Sequence, residues 1–212
     1  LKHLPGLLQR LRTTGEREEE LEVVVVHFLG VDHVGHTYGP NNEHMDAKLK
    51  QVDAALATVL ELLDESKQCH AALIFGDHGM TEDGNHGGGT MEETNAALFT
   101  HVSPACGGLS NSDYLEKQRE SAWVAETFTS IHQIDLVPTI SVMLGLPIPY
   151  ANLGGLVPSI IPGQDIRQTT ASLALNAAQV WRYFTVYSEI ANRLPDLPVL
   201  RDKLNMAVSE YK

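Results

Sequence analysis

The chain lacks any apolar run of the roughly 18 to 20 residues that a membrane-spanning helix requires. Its densest runs, Val23–Val26 and Leu73–Phe75, have the length of buried strands. Basic residues are scarce: 15 Lys and Arg stand against 27 Asp and Glu, a net charge of -12. That balance excludes a phosphate-backbone surface, which is bound through clustered Lys and Arg, and no nucleic-acid partner is expected. Cysteine is limited to Cys69 and Cys106. The two could pair in an oxidising compartment, but nothing at this size demands a staple, and two buried thiols are the expectation. Asn-x-Ser/Thr acceptors are absent, so glycosylation carries no compartment signal. Internal repeats and low-complexity tracts are lacking too. The chain opens on Leu1 rather than Met, with no charged-then-apolar leader behind it, and is expected to be a fragment or a processed piece. At 43% hydrophobic and 20% charged residues, 212 positions suffice for one packed domain or part of a larger one.

What the chain does have is ten histidines, and their placement follows the pattern of elements. Residues 1–20 are polar and end in Glu16-Arg17-Glu18-Glu19-Glu20, a solvated connector or helix end. Leu21–Gly30 is β-branched, continuous and halted by glycine, which predicts a strand buried on both faces. From Glu43 to Ser66 the apolar residues Met45, Leu49, Val52, Leu56, Val59 and Leu63 recur at helical steps. Ala71–Gly76 predicts a second buried strand and Ala96–Val102 a third. Strand, helix and strand at this spacing predict a βαβ unit with parallel pairing, hence an α/β layer fold. Pro104–Gln118 is polar and predicts a surface loop. Asp135 before Leu136, Val137 and Pro138 predicts a capped helix that Gly145, Pro147 and Pro149 terminate. A longer helix is expected from about Gln168 to Asn192, with apolar positions at Leu173, Leu175, Val180, Phe184 and Ile190, and a short one after Pro198.

Both of the first two strands run into acid-and-histidine loops. One reads His27-Phe28-Leu29-Gly30-Val31-Asp32-His33-Val34-Gly35-His36; the other reads Gly76-Asp77-His78-Gly79-Met80 and continues to Gly84-Asn85-His86-Gly87-Gly88-Gly89. In an open α/β sheet, ligands collect beyond the carboxyl ends of strands. Carboxylate and imidazole are the donors expected for zinc, with manganese also compatible. Asp32 and His36 stand four apart, one face of a helical turn. Asp77 and His78 are adjacent and would diverge in a regular strand, but Gly76 and Gly79 permit a bend. Asp32, His36, Asp77, His78 and His86 exceed the three protein ligands of one open catalytic zinc and fit two ions with positions missing. His27 is expected in a core or supporting role, and His33 is expected to point away. His44, His70, His101 and His132 are expected to be isolated surface or packing residues. Thr81 and Thr90 are not expected to be nucleophiles, and Glu92 and Glu93 are expected to begin a structural element.

The series Asp32-x-x-x-His36, Asp77-His78-Gly79-Met80 and His86-Gly87 resembles the metal-binding half of the alkaline phosphatase superfamily. Together with Gly39-Pro40, Gly76–Gly88 and Gly145-Leu146-Pro147-Ile148-Pro149, it resembles more narrowly the enzymes that add ethanolamine phosphate to glycosylphosphatidylinositol (GPI) anchors. The similarity covers about residues 21–163, with a weaker stretch at Leu175-Asn176-Ala177 through Gln179. Asp77–Thr81 and Tyr150–Gly154 favour the third-mannose branch of that family over the second-mannose branch.

The resemblance implies an alkaline-phosphatase-like layered fold: a mainly parallel sheet with helices on both faces, incomplete at its N-terminal side. It implies two zinc ions, one held by Asp32, His36 and His86 and the other by Asp77 and His78. It also implies a further aspartate and a nucleophilic threonine upstream, so that residues 1–163 would be the C-terminal part of a catalytic domain, inactive alone. Residues 164–212 would be a helical extension leading towards a membrane region. Phosphatidylethanolamine and the GPI precursor are the implied substrates. The implied place is the endoplasmic reticulum membrane with the catalytic domain lumenal, accompanied by a small membrane subunit. Two other readings remain open: a metal-dependent phosphodiesterase or phosphatase with water as acceptor, and a non-catalytic metal-binding module.

Overall fold

The computed structural model describes residues 23–106 and 130–191, with residues 6, 199, 201–203 and 206. The chain divides into two compact units, Leu1–Ser110 and Asn111–Lys212.

In the first unit, helix α1 covers Gly30–Tyr38 and helix α2 covers Glu43–Glu65. The break between them is built by Gly39, at φ 81°, and by Asn42. The Asn42 Oδ1 accepts the backbone N–H groups of His44 and Met45 at 2.8 and 3.0 Å, satisfying the first orphan donors of α2. Its amide reaches back to the carbonyls of Tyr38 and Gly39. One side chain thus joins the end of α1 to the start of α2. The helical period read from the sequence matches α2 to within a residue, with Met45 buried at its start and Val52, Leu56, Val59 and Leu63 half-buried behind it.

Strand β1, Ala71–Phe75, pairs with strand β2, Leu98–Val102, and a single helical turn α3, Met91–Thr94, lies between them. This pairing is antiparallel, with Ala71 opposite Val102 and Phe75 opposite Leu98; it is the sheet found among the described residues, and no parallel pair is formed among them. The expected strand over Leu21–Gly30 is not formed over its described part. Val23–Phe28 carries no ladder, and Val23, Val24, Val25 and Val26 are 58, 41, 88 and 43% exposed. A run of valines encodes the side chains of a buried strand, but a ladder also needs a free neighbouring edge. β1 is not buried on both faces either: its residues are half-buried and Phe75 is 48% exposed.

Cys69 and Cys106 form a disulfide, which corrects the expectation of free thiols. The reason is the antiparallel register. It brings the approach to β1 beside the exit from β2, and the Ser103 N–H donates to the His70 carbonyl at 2.9 Å as an added rung. The two cysteines then face each other with Cα atoms 4.3 Å apart. Of the expected loop Pro104–Gln118, Pro104–Cys106 forms a 3-10 turn and the remainder lies outside the described residues.

In the second unit a 3-10 turn at Gln133–Asp135 leads into helix α4, Leu136–Met143. Pro138 is fully buried in its first turn, where the missing N–H removes no helical bond. Asp135 does not cap α4 through its side chain, as the sequence suggested. Its carboxylate instead accepts the N–H of His132 at 2.9 Å and that of Gly155 at 2.7 Å. Gly145, at φ 63°, ends the segment.

Helix α5 spans Ile166–Ala191, and Asp165 and Gln168 cap it reciprocally through side chain and backbone. The stretch from Tyr150 to Leu156 is strapped to α5 by amide side chains. Gln179 donates to the carbonyls of Tyr150 and Asn152, and Asn176 accepts the Leu156 N–H at 2.8 Å and donates to the Gly154 carbonyl. Asn152 and Asn176 are buried beside Leu156, while Leu173, Leu175 and Ile190 are exposed and Val180 and Phe184 half-buried. Of the short helix expected after Pro198, residues 201–203 are helical and the rest lies largely outside the described residues. Among the described residues, no helix is long and apolar enough to cross a membrane.

Candidate metal centre

Glycine contacts bring the two histidine loops together. Gly35, buried in α1, has no Cβ, and the space is filled by the thioether of Met80. The backbone of Gly84, at φ 79°, lies against the Gly35 carbonyl. Gly79 is enclosed by the carbonyls of Glu92 and Asn95, where any side chain would collide, and its N–H donates to the Glu93 carbonyl at 2.7 Å. Residues 76–86 are thereby folded over the side of α1 that carries Asp32 and His36.

The resulting geometry is close. Asp32 Oδ1 stands 3.5 Å from His36 Nε2 and 3.4 Å from His86 Nε2, and the two imidazole nitrogens are 3.1 Å apart. Ligands at 2.0–2.1 Å from a tetrahedral zinc stand about 3.3 Å from one another. The three edges bracket that value. Asp32 Oδ1 is buried and makes no hydrogen bond, so this oxygen is orphaned unless a cation meets it. The donor set fits a zinc-class ion.

His78 joins the same cluster: its ligand atom, with those of Asp32 and His86, falls within 4.8 Å. Its ring stacks on His86 with centroids 3.9 Å apart. Its Nδ1 lies 2.8 Å from the Gly79 carbonyl, which can only accept, so the proton sits on Nδ1 and Nε2 carries a lone pair. Asp77 Oδ2 is 3.8 Å from His78 Nε2, on a carboxylate that is 71% exposed. The five residues singled out in the sequence therefore occupy one neighbourhood. His33 is exposed on α1, and His27 is exposed rather than packed.

Glu93 is a residue whose importance the sequence understated. As expected, it begins an element: Thr90 and Glu93 form the capping box of α3. Beyond that, its buried carboxylate accepts the N–H of Gly88 at 2.8 Å and both the N–H and the hydroxyl of Thr90. The Thr90 hydroxyl, then the Gly88 and Thr90 amides, hold its pKa below the usual glutamate value. Glu93 thus anchors the glycine loop that follows His86. The Thr81 hydroxyl is engaged with Asp83 and the Asn85 carbonyl, and Asp83 is held below the usual aspartate range by Thr81 and then Asn85.

His70 and His101 are not isolated, contrary to expectation. They meet Asp64 in a second cluster at the other end of β1 from the loop at 76–86. The antiparallel register, invisible in the sequence spacing, puts them on one sheet face. His44 is exposed and lies against Tyr38, and His132 is exposed.

Residues 4–110 match the family described as type I phosphodiesterase / nucleotide pyrophosphatase. The chain is 36% identical over 171 residues to GPI ethanolamine phosphate transferase 3 of Schizosaccharomyces pombe, covering 81% of this chain and 17% of that protein. It is 34% identical over 216 residues to the catalytic subunit of human GPI ethanolamine phosphate transferase 3, covering 98% and 18%. With GPI ethanolamine phosphate transferase 2 of Saccharomyces cerevisiae it shares 32% over 197 residues, covering 90% and 23%. The chain thus spans about a fifth of the length of these relatives. No solved structure gives a significant match.

Proposed function

Since the chain belongs to the type I phosphodiesterase / nucleotide pyrophosphatase family, its chemistry is that of phosphorus–oxygen bonds, and we propose that it carries the metal-binding part of a GPI ethanolamine phosphate transferase. The donor is phosphatidylethanolamine and the acceptor a mannose of the GPI precursor, the third by the likeness of Asp77–Thr81 and Tyr150–Gly154 to that branch. The observation that carries this reading is the triangle of Asp32 Oδ1, His36 Nε2 and His86 Nε2, with edges of 3.1 to 3.5 Å around an orphaned carboxylate oxygen.

In this reading Asp32, His36 and His86 hold one zinc, and Asp77 and His78 hold the other. Two such ions, when bound, neutralise the phosphodiester and stabilise attacking and leaving oxygens. The chain's own residues prepare the place. The Gly79 carbonyl fixes the His78 tautomer, and Glu93 holds the His86 loop. Gly87 and Gly89 have open space beside their Cα atoms, so backbone can approach an anionic group closely. No nucleophile is assigned to Thr81 or Thr90, whose hydroxyls are engaged locally; the threonine is placed upstream.

The layered, mainly parallel sheet of the alkaline phosphatase superfamily belongs to the same proposal. Its support is the exposed valine run Val23–Val26, apolar on both sides and without a ladder partner among the described residues. A lumenal position in the endoplasmic reticulum membrane, beside a small membrane subunit, completes it; the Cys69–Cys106 disulfide supports the oxidising side. The test is to supply full-length enzyme with phosphatidylethanolamine and a trimannosyl acceptor, then locate the ethanolamine phosphate by mass spectrometry. It is expected on the third mannose; release into water would replace transfer by hydrolysis.

A further inference from the structure

We propose that Asp64, His70 and His101 form a second, separate site for a divalent ion of the zinc class, which ties the end of α2 to the β1–β2 hairpin. His70 Nε2 and His101 Nε2 lie 3.2 and 2.9 Å from the same atom, Asp64 Oδ1. These approach the about 3.3 Å separation of ligands around a tetrahedral zinc. The three ligand atoms fall within 4.8 Å of one another.

The decisive detail is at His70. Its Nδ1 stands 3.0 Å from the Gln68 carbonyl, an atom that can only accept. Nδ1 therefore carries the proton, and in the neutral ring Nε2 presents a lone pair. That nitrogen is buried and has no hydrogen-bond partner, yet it faces a carboxylate oxygen, which also offers only lone pairs. A cation between them reconciles two acceptors that face each other. A backbone carbonyl on the far ring nitrogen is also the usual orientation device of a metal-binding histidine.

Placement is rigid. Ala72 lies opposite His101, so His70 and His101 share one face as diagonal neighbours, with ring centroids 5.6 Å apart. The Ser103-to-His70 rung and the disulfide beside it fix the base of the hairpin. Asp64 arrives from the last turn of α2. Water fills the remaining coordination positions, since Asp64 is half-exposed.

The site does not rest on the transferase reading and can fail without it. Full-length enzyme is stripped with chelator, titrated with zinc chloride, and its metal content measured after gel filtration. His70→Gln/His101→Gln is expected to retain about one zinc equivalent less than the unaltered protein while keeping transfer activity. Asp64→Asn, at an exposed position, should weaken the same site by more than the about 10–100-fold typical of residues that merely support ligands. In a His36→Ala/His86→Ala background, zinc should still raise the melting temperature, and adding Asp64→Asn should remove that rise. Equal zinc content in all variants, or a melting temperature that follows pH but ignores zinc, would make the cluster a protonated His–Asp pair and overturn the proposal.

Discussion

The Nε2 atoms of His36 and His86 stand 3.1 Å apart although the residues are 50 positions apart in sequence. One nitrogen must donate to the other, or both must donate electron pairs to a shared cation. With Asp32 Oδ1 orphaned beside them, the second arrangement leaves no group unmatched. His86→Ala in the full-length enzyme should therefore lower bound zinc and reduce transfer by more than the about 10–100-fold typical of residues that merely support ligands. Asp77→Asn should do similar harm, because a neutral amide is a poorer zinc donor. His132→Ala, exposed in the second unit, serves as control and should leave both readouts unchanged. Full zinc content in His86→Ala would refute the assignment.

Glu93 tests whether the His86 loop needs its anchor. Glu93→Gln keeps the size but loses the charge that gathers the Gly88 and Thr90 donors. Zinc affinity should fall about 10–100-fold while the helical content stays the same. The pH dependence has a definite sign. The folded pKa is lowered, so the stabilisation is present above the unfolded value and disappears as pH falls below about 4. The melting-temperature gap between the unaltered protein and Glu93→Gln should be full near pH 7 and close in acid; a gap that widened in acid would contradict this.

Local chemistry makes the helices and the candidate ligands legible in the sequence, and non-local pairing hides the rest. The α2 boundaries follow from a 3.6-residue period and an Asn cap, both of which act within a few residues. Asp32 and His36 were legible because i and i+4 share a helix face. Val23–Val26 forms no strand among the described residues because burial of a strand is a property of its neighbours rather than of its own side chains. The Asp64–His70–His101 cluster and the disulfide both depend on the antiparallel register of β1 and β2, which no spacing within either strand encodes. Glu93 begins an element, as its place in the sequence suggests, but its bond to Gly88 depends on the path of a glycine loop.

Gly79 sits where the Asp77-His78 pair turns away from β1. A methyl group there would run into the Glu92 and Asn95 carbonyls, which are backbone and cannot swing aside. Gly79→Ala should therefore cost about 1–3 kcal/mol of stability, read from urea unfolding, and displace His78 from the cluster. An unchanged midpoint with unchanged zinc binding would show that the loop can yield.

The disulfide gives the last prediction, and one that separates stability from catalysis. Cys69 and Cys106 close a separation of 37 residues that includes β1, α3, β2 and both halves of the 76–89 loop. Constraining a loop of that length removes enough unfolded-state entropy to stabilise by about 3–4 kcal/mol. Cys69→Ser/Cys106→Ser should lower the urea midpoint accordingly, and a reductant should lower that of the unaltered protein but not of the variant. The Asp32–His36–His86 triangle is held by Gly35, Met80 and Gly84 contacts instead, so zinc content at neutral pH should survive in whatever fraction remains folded. Loss of that zinc from folded, disulfide-free protein would show that the hairpin, and not the glycine packing, positions the metal centre.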